Sequence, residues 1–113
     1  MDSKQIKYFC VLDFEVTCWK LMKNKFHEII EFPSVMWEVN GNDLKKLGEF
    51  QQFCKPKINK QLSDFCIELT GITQNKVDNA ESFPVVFANH YKWICSLADP
   101  KDVYVVTCGG WDR

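Results

Sequence analysis

At 113 residues, 46% hydrophobic, 14% aromatic and 26% charged, the chain has the composition of one small folded domain that buries roughly two thirds of its unfolded surface. Its formal net charge of −1 excludes attraction to nucleic acid through a general positive field, so any such binding rests on local groups. No run approaches the roughly 20 apolar residues that span a bilayer, and the polar start Met1-Asp2-Ser3-Lys4-Gln5 lacks the apolar segment of a signal peptide. The expectation is an intracellular protein, cytoplasmic or nuclear, with no membrane partner. Six cysteines (Cys10, Cys18, Cys54, Cys66, Cys95, Cys108) form no C-x-x-C and accompany two histidines. They read as reduced, mostly buried thiols rather than disulfides or zinc ligands.

The chain opens its ordered part with Tyr8 to Thr17, an apolar β-prone run with Asp13 and Glu15 set into its far end. A strand turns residues i and i+2 to one face, so the two acids point together while Leu12 and Phe14 point the other way. Two like charges on a partly buried strand are costly unless a cation compensates. Paired carboxylates of this kind hold Mg²⁺ or Mn²⁺ in two-metal phosphoryl-transfer sites. The competing reading ends the strand at Leu12 and leaves both acids in solvent.

Cys18 to Phe26 lacks alternation and reads as a loop whose three lysines, Lys20, Lys23 and Lys25, either approach phosphate or decorate a solvated tip. Glu28 to Val39 is strand-like with a proline interruption. Asn40-Gly41-Asn42-Asp43 is a turn leading to a further β segment around Gly48 to Cys54. The pattern then changes period: Leu62, Phe65, Cys66 and Leu69 fall at helical spacing, and Thr70-Gly71 is a stop. A longer helix follows, with Ser82 at its N-cap, Pro84 in its first turn and a stripe of Phe83, Val86, Phe87, His90, Ile94 and Leu97. His90 at the edge of that stripe is read as a packed or half-exposed histidine. After the turn at Asp99 to Asp102, Val103 to Thr107 is a buried-type strand, and Gly109-Gly110-Trp111-Asp112 follows as the delivery of a third acid.

This order predicts an α/β fold: a three-strand antiparallel meander, then helices, then a last strand parallel to the first through a right-handed crossover. That arrangement brings Asp112 beside Asp13 and Glu15.

Several stretches together resemble the Eri-type 3′-to-5′ exoribonucleases. They are Asp13-Phe14-Glu15-Val16-Thr17-Cys18, His27 to Pro33, Phe50-Gln51-Gln52-Phe53 with Lys55-Pro56, Gln61 to Cys66, Leu69 to Gln74 and Gly110-Trp111-Asp112. The Eri-type enzymes are DEDDh-class members of the ribonuclease-H-like superfamily, related to the histone-mRNA 3′ exonuclease. The resemblance runs from about Tyr8 to the last residue and implies a ribonuclease-H-like exonuclease fold. It implies two Mg²⁺ (or Mn²⁺) ions in the complete domain, held by Asp13, Glu15 and Asp112, and hydrolysis of RNA 3′ ends to nucleoside 5′-monophosphates. It also implies that Phe65 and Trp111 hold the terminal base and that Leu69, Thr70 and Gly71 lie against the terminal nucleotide. Plain core packing is the alternative role for Phe65, Leu69 and Trp111.

The family's histidine base and fourth carboxylate lie downstream of the second motif, whereas His27 and His90 stand in other motifs of this sequence. Residues 1–113 are therefore expected to be the amino-terminal part of a single exonuclease domain, with its carboxy-terminal part missing. The alternative is a catalytically inactive truncated isoform or paralogue that binds RNA or a protein partner. Uncovered apolar surface on the first and last strands predicts self-association through the sheet edge.

Overall fold

A computed structural model describes residues 7–21 and 26–108. Within them the β-prone and helical patterns become strands β1 (Tyr8–Leu12), β2 (Glu15–Val16), β3 (Ile29–Asn40) and β4 (Asp43–Lys55), helices α1 (Asp64–Thr70) and α2 (Gln74–Asp78), strand β5 (Glu81–Ser82), helix α3 (Phe83–Leu97) and strand β6 (Val103–Thr107). The sheet order is β5-β4-β3-β1-β6, with β2 joined to β3. β1 is antiparallel to β3, β3 to β4, and β6 runs parallel to β1. The α/β order and the parallel last strand agree with the sequence pattern.

The turn residues set the register of the long hairpin. Asn40 pairs with Asp43 across a two-residue loop, and Gly41 takes φ 66°, a left-handed conformation that a side chain disfavours. β3 keeps the length of its sequence pattern, shifted by one residue, whereas β4 begins five residues before the expected Gly48 and is longer than its pattern. Pro33 lies inside β3, not at a break; its carbonyl accepts the Asp13 N–H at 3.3 Å. Two short elements, α2 and β5, carry too few residues to show a period.

Alternate residues of β3, namely Ile30, Phe32, Ser34 and Met36, are buried. Phe32 and Met36 join Cys10, Leu12, Cys54, Val86 and Ile94 in the main core, over which α3 lies. Ile30 belongs to a second cluster with Leu62, Cys66, Ile72 and Val77, under α1 and α2. On α3 the residues facing inward are Val86, His90 and Ile94, spaced by four. Phe87, expected in that stripe, is 57% exposed, because its place on the helix turns it off the sheet and onto Phe83.

β6 is an edge strand, and Tyr104, Val105 and Val106 on it are 55%, 52% and 36% exposed. Lys20 is solvent-exposed; Lys23 and Lys25 lie outside the described residues.

Candidate active site

β1 ends at Leu12, but its pairing does not. Tyr8 sits opposite Glu38, Leu12 opposite Ser34 and Glu15 opposite Glu31, one unbroken register; it shifts only between Glu15 and Val16. Leu12 lies in the core and the Phe14 ring meets Phe32 edge-on at 4.7 Å. Strand alternation therefore puts Asp13 and Glu15 together on the face away from α3. Asp13 is exposed and Glu15 half-buried. Both readings of the sequence are partly right: the regular strand stops at Leu12, and the acids still share a face. Two carboxylates there offer the hard oxygen donors that Mg²⁺ and Mn²⁺ take, so the donor chemistry fits.

β6 completes one side of this site. Thr107 pairs with Leu12, and the next residue, Cys108, donates its N–H to the Leu12 carbonyl at 2.8 Å. The chain thus leaves β6 at the level of Asp13. Asp112 and Trp111 themselves lie outside the described residues.

α1 closes the other side. Ser63 caps it, its hydroxyl accepting the Cys66 N–H at 3.0 Å while donating to the Cys18 carbonyl at 2.6 Å. Cys66 adds a weak contact to the Val16 carbonyl at 3.8 Å. The helix is thereby tied to the backbone immediately after Glu15. Phe65 is half-buried, and Leu69 is 66% exposed. That exposure argues against core packing for Leu69 and leaves an apolar side chain free to meet a ligand. Thr70 donates to the Cys66 carbonyl at 2.8 Å and accepts the Ile72 N–H, and Gly71 ends the helix at φ 77° with its N–H on Ile67.

Both histidines have partners of their own. His90 is 5% exposed, Nε2 lies 2.9 Å from the Ser34 hydroxyl, and its ring packs on Phe32 and Phe50. Burial pushes it down to about 4, so it is a neutral core residue on the α3 side. Its partners Ser34 and Cys10, 3.0 Å apart, satisfy it in a polar knot that the sequence did not reveal. His27 bonds the Thr17 carbonyl through Nδ1 at 2.7 Å, which places a proton on that nitrogen. Beside it the Glu28 N–H donates to the Thr17 hydroxyl at 3.0 Å.

The exonuclease family profile matches residues 10–111 of the 113. The chain belongs to the exonuclease family. Among the relatives of the chain, the rat 3′-5′ exoribonuclease 1 is 44% identical over 108 residues, which cover 93% of this chain and 31% of that protein. The nuclease domain of a 3′ exonuclease, a DEDDh family member bound to rAMP, superimposes with TM-score 0.81 at 44% identity, covering all of this chain and 56% of that one. The structure describing 3′-end recognition of a histone mRNA stem-loop by a 3′-exonuclease matches with TM-score 0.80 at 42% identity, over 95% and 37% of the two chains. The chain thus spans about a third of the length of the curated relative it matches. Its sheet and helices are those of the ribonuclease-H-like exonuclease fold. No helix among the described residues is long and apolar enough to cross a membrane.

Proposed function

We propose that the protein acts as a 3′-to-5′ exoribonuclease, releasing nucleoside 5′-monophosphates from RNA 3′ ends, as residues 1–113 of a single exonuclease domain. The observation that carries this reading is the convergence of Asp13 and Glu15, the tied-down helix α1 and the parallel end of β6, within a chain that belongs to the exonuclease family.

Asp13 and Glu15, with Asp112, hold the divalent ions, Mg²⁺ or Mn²⁺. When bound, such a pair supplies an activated water and neutralises charge on the leaving 3′ oxygen. Phe65 and Trp111 take the faces of the terminal base; such stacking tolerates any base and contributes about 1 to 3 kcal/mol. Leu69 wedges against the terminal nucleotide, and Thr70 and Gly71 hold the backbone turn that presents it. All six cysteines are free thiols, which supports a reducing intracellular compartment. The uncovered β6 edge supports self-association.

The test is product analysis. The chain is incubated with Mg²⁺ and either a linear RNA bearing a free 3′ hydroxyl or a circular RNA of the same sequence. Nucleoside 5′-monophosphates from the linear RNA alone are expected. Internal cutting of the circle, or no release from either RNA by folded protein, contradicts the proposal; no release favours a non-cleaving binder.

A further inference from the structure

A groove of about 920 Å³ opens between the start of β3, the loop after β4 and the first turn of α3, at the upper end of the roughly 300 to 1,000 Å³ typical of ligand clefts. Phe26, His27, Lys55, Lys57, Lys60 and Phe83 line it. The three lysines are exposed, and none has an ion-pair partner among the described residues. Phe26 is 64% and Phe83 37% exposed.

One carboxylate lies in the groove wall, and its capacity is already spent. Glu28 accepts the backbone N–H groups of Lys57 at 2.7 Å, Ile58 at 3.0 Å and Asn59 at 2.7 Å, together with the Asn59 side-chain amide at 3.1 Å. Burial pushes the Glu28 carboxyl up, but the bonds from Asn59, Ile58 and Lys57 outweigh it and hold the group below its ordinary value. Glu28 therefore stays ionised, engages the loop backbone and fixes the segment on which the lysines stand. A chain of net charge −1 thus gathers unpaired cations, at the end of β4 and on the pre-ordered loop after it, beside two exposed aromatic rings. Positive groups tracking phosphates, interleaved with ring faces for bases, make up the chemistry that holds single-stranded nucleic acid.

The groove wall is hydrogen-bonded to the strand end that carries the candidate active site, with the groove opening toward the first turn of α3 and the carboxylates on the other face of the sheet. Glu28 and Ile29 of the wall pair with Thr17 and Val16, one to two residues, roughly 7 Å of strand at most, beyond Glu15, so an RNA strand reaching both passes around this end of the sheet.

We infer that this groove is a binding site for the nucleotides upstream of the RNA 3′ end, with Lys55, Lys57 and Lys60 on the phosphates and Phe26 and Phe83 against the bases. The inference rests on the exoribonuclease reading for its ligand, and it extends the substrate contact beyond the terminal nucleotide at α1.

Binding of a 5′-fluorescein-labelled single-stranded 12-mer RNA, followed by anisotropy in EDTA at several salt concentrations, tests it apart from cleavage. The probes are the full chain, a K55E/K57E/K60E variant, F26A, and a K7E/K45E/K92E control with the same charge change elsewhere. The groove reversal is expected to weaken binding about tenfold or more and to flatten the log–log salt slope by about 2, as loss of three phosphate contacts requires. F26A should weaken binding severalfold with the slope unchanged, and the control should bind within about twofold of the parent. Equal affinity and slope for parent and groove variant overturn the inference while leaving cleavage untouched. So does an equal loss in the control, or displacement of the RNA by an equally charged poly-glutamate peptide at the same concentration as by unlabelled RNA. Absence of cleavage beside intact groove-dependent binding fails the exoribonuclease reading alone.

Discussion

His90 shows how one buried side chain couples the core to pH. It sits among Phe32, Phe50 and Trp93 with Nε2 on Ser34, and burial lowers it from an ordinary value of 6.5 to about 4. In the unfolded chain the same imidazole takes up a proton near its ordinary value. Stability from its neutral burial is thus full above about pH 6.5 and is lost as pH falls toward 4, where it amounts to about 3 kcal/mol. Urea unfolding at pH 7 and pH 4.5 should show this loss, and His90→Asn should be less stable at pH 7 with a shallower acid slope. An equal slope in parent and variant excludes His90 as the source. The sequence placed His90 on the helix stripe but could not show its burial, because the Ser34 and Cys10 partners come from strands 56 and 80 residues away in sequence.

At the scale of the element, α1 is the part whose position decides whether its apolar side chains serve a ligand. Seven residues are too few to be stable alone, so caps and tertiary contacts hold it. Ser63 both caps the helix and ties it to the Cys18 carbonyl, so Ser63→Ala should cost about 1 kcal/mol in denaturant unfolding. The same change should loosen Phe65 and Leu69 and weaken RNA binding more than the stability loss accounts for. Unaltered RNA affinity in a destabilised Ser63→Ala chain detaches α1 from the site. The helical period of Leu62, Phe65, Cys66 and Leu69 and the stop at Gly71 were legible because an apolar stripe and an αL glycine are local signals. The Ser63 cap had a local signal too, a serine inside the first turn of the periodic run, immediately before Asp64. The Glu28 clamp had none, since its donors lie about 30 residues away. Three lysines within six residues, Lys55 to Lys60, were the visible trace of the groove.

For the whole molecule, the parallel pairing of β6 with β1 decides both the site and the exposed surface. It was legible from the strand–helix–strand order, because a crossover helix returns the chain to a parallel neighbour. The split of the first run at Leu12 was one of two readings the sequence left open, since alternation continues through Asp13 and Glu15 although the regular strand stops. The edge of β6 presents Tyr104, Val105 and Val106 to solvent, a template for a further strand. Light scattering of the 113-residue chain is expected to show mass rising with concentration, and Val105→Lys should reduce that rise. A monodisperse monomer across the range contradicts edge-driven association.

The most direct test of the central claim is shortening of a 5′-labelled single-stranded RNA with Mg²⁺ or Mn²⁺, by the chain and by its Asp13→Ala, Glu15→Ala double variant. A ladder of progressively shorter RNA is expected from the parent, lost by about a hundredfold or more in the variant, since both alanines remove oxygens that hold the metals. A ladder that survives the double substitution, or none from folded parent protein, contradicts the assignment of metal-dependent 3′-to-5′ hydrolysis to this pair of carboxylates.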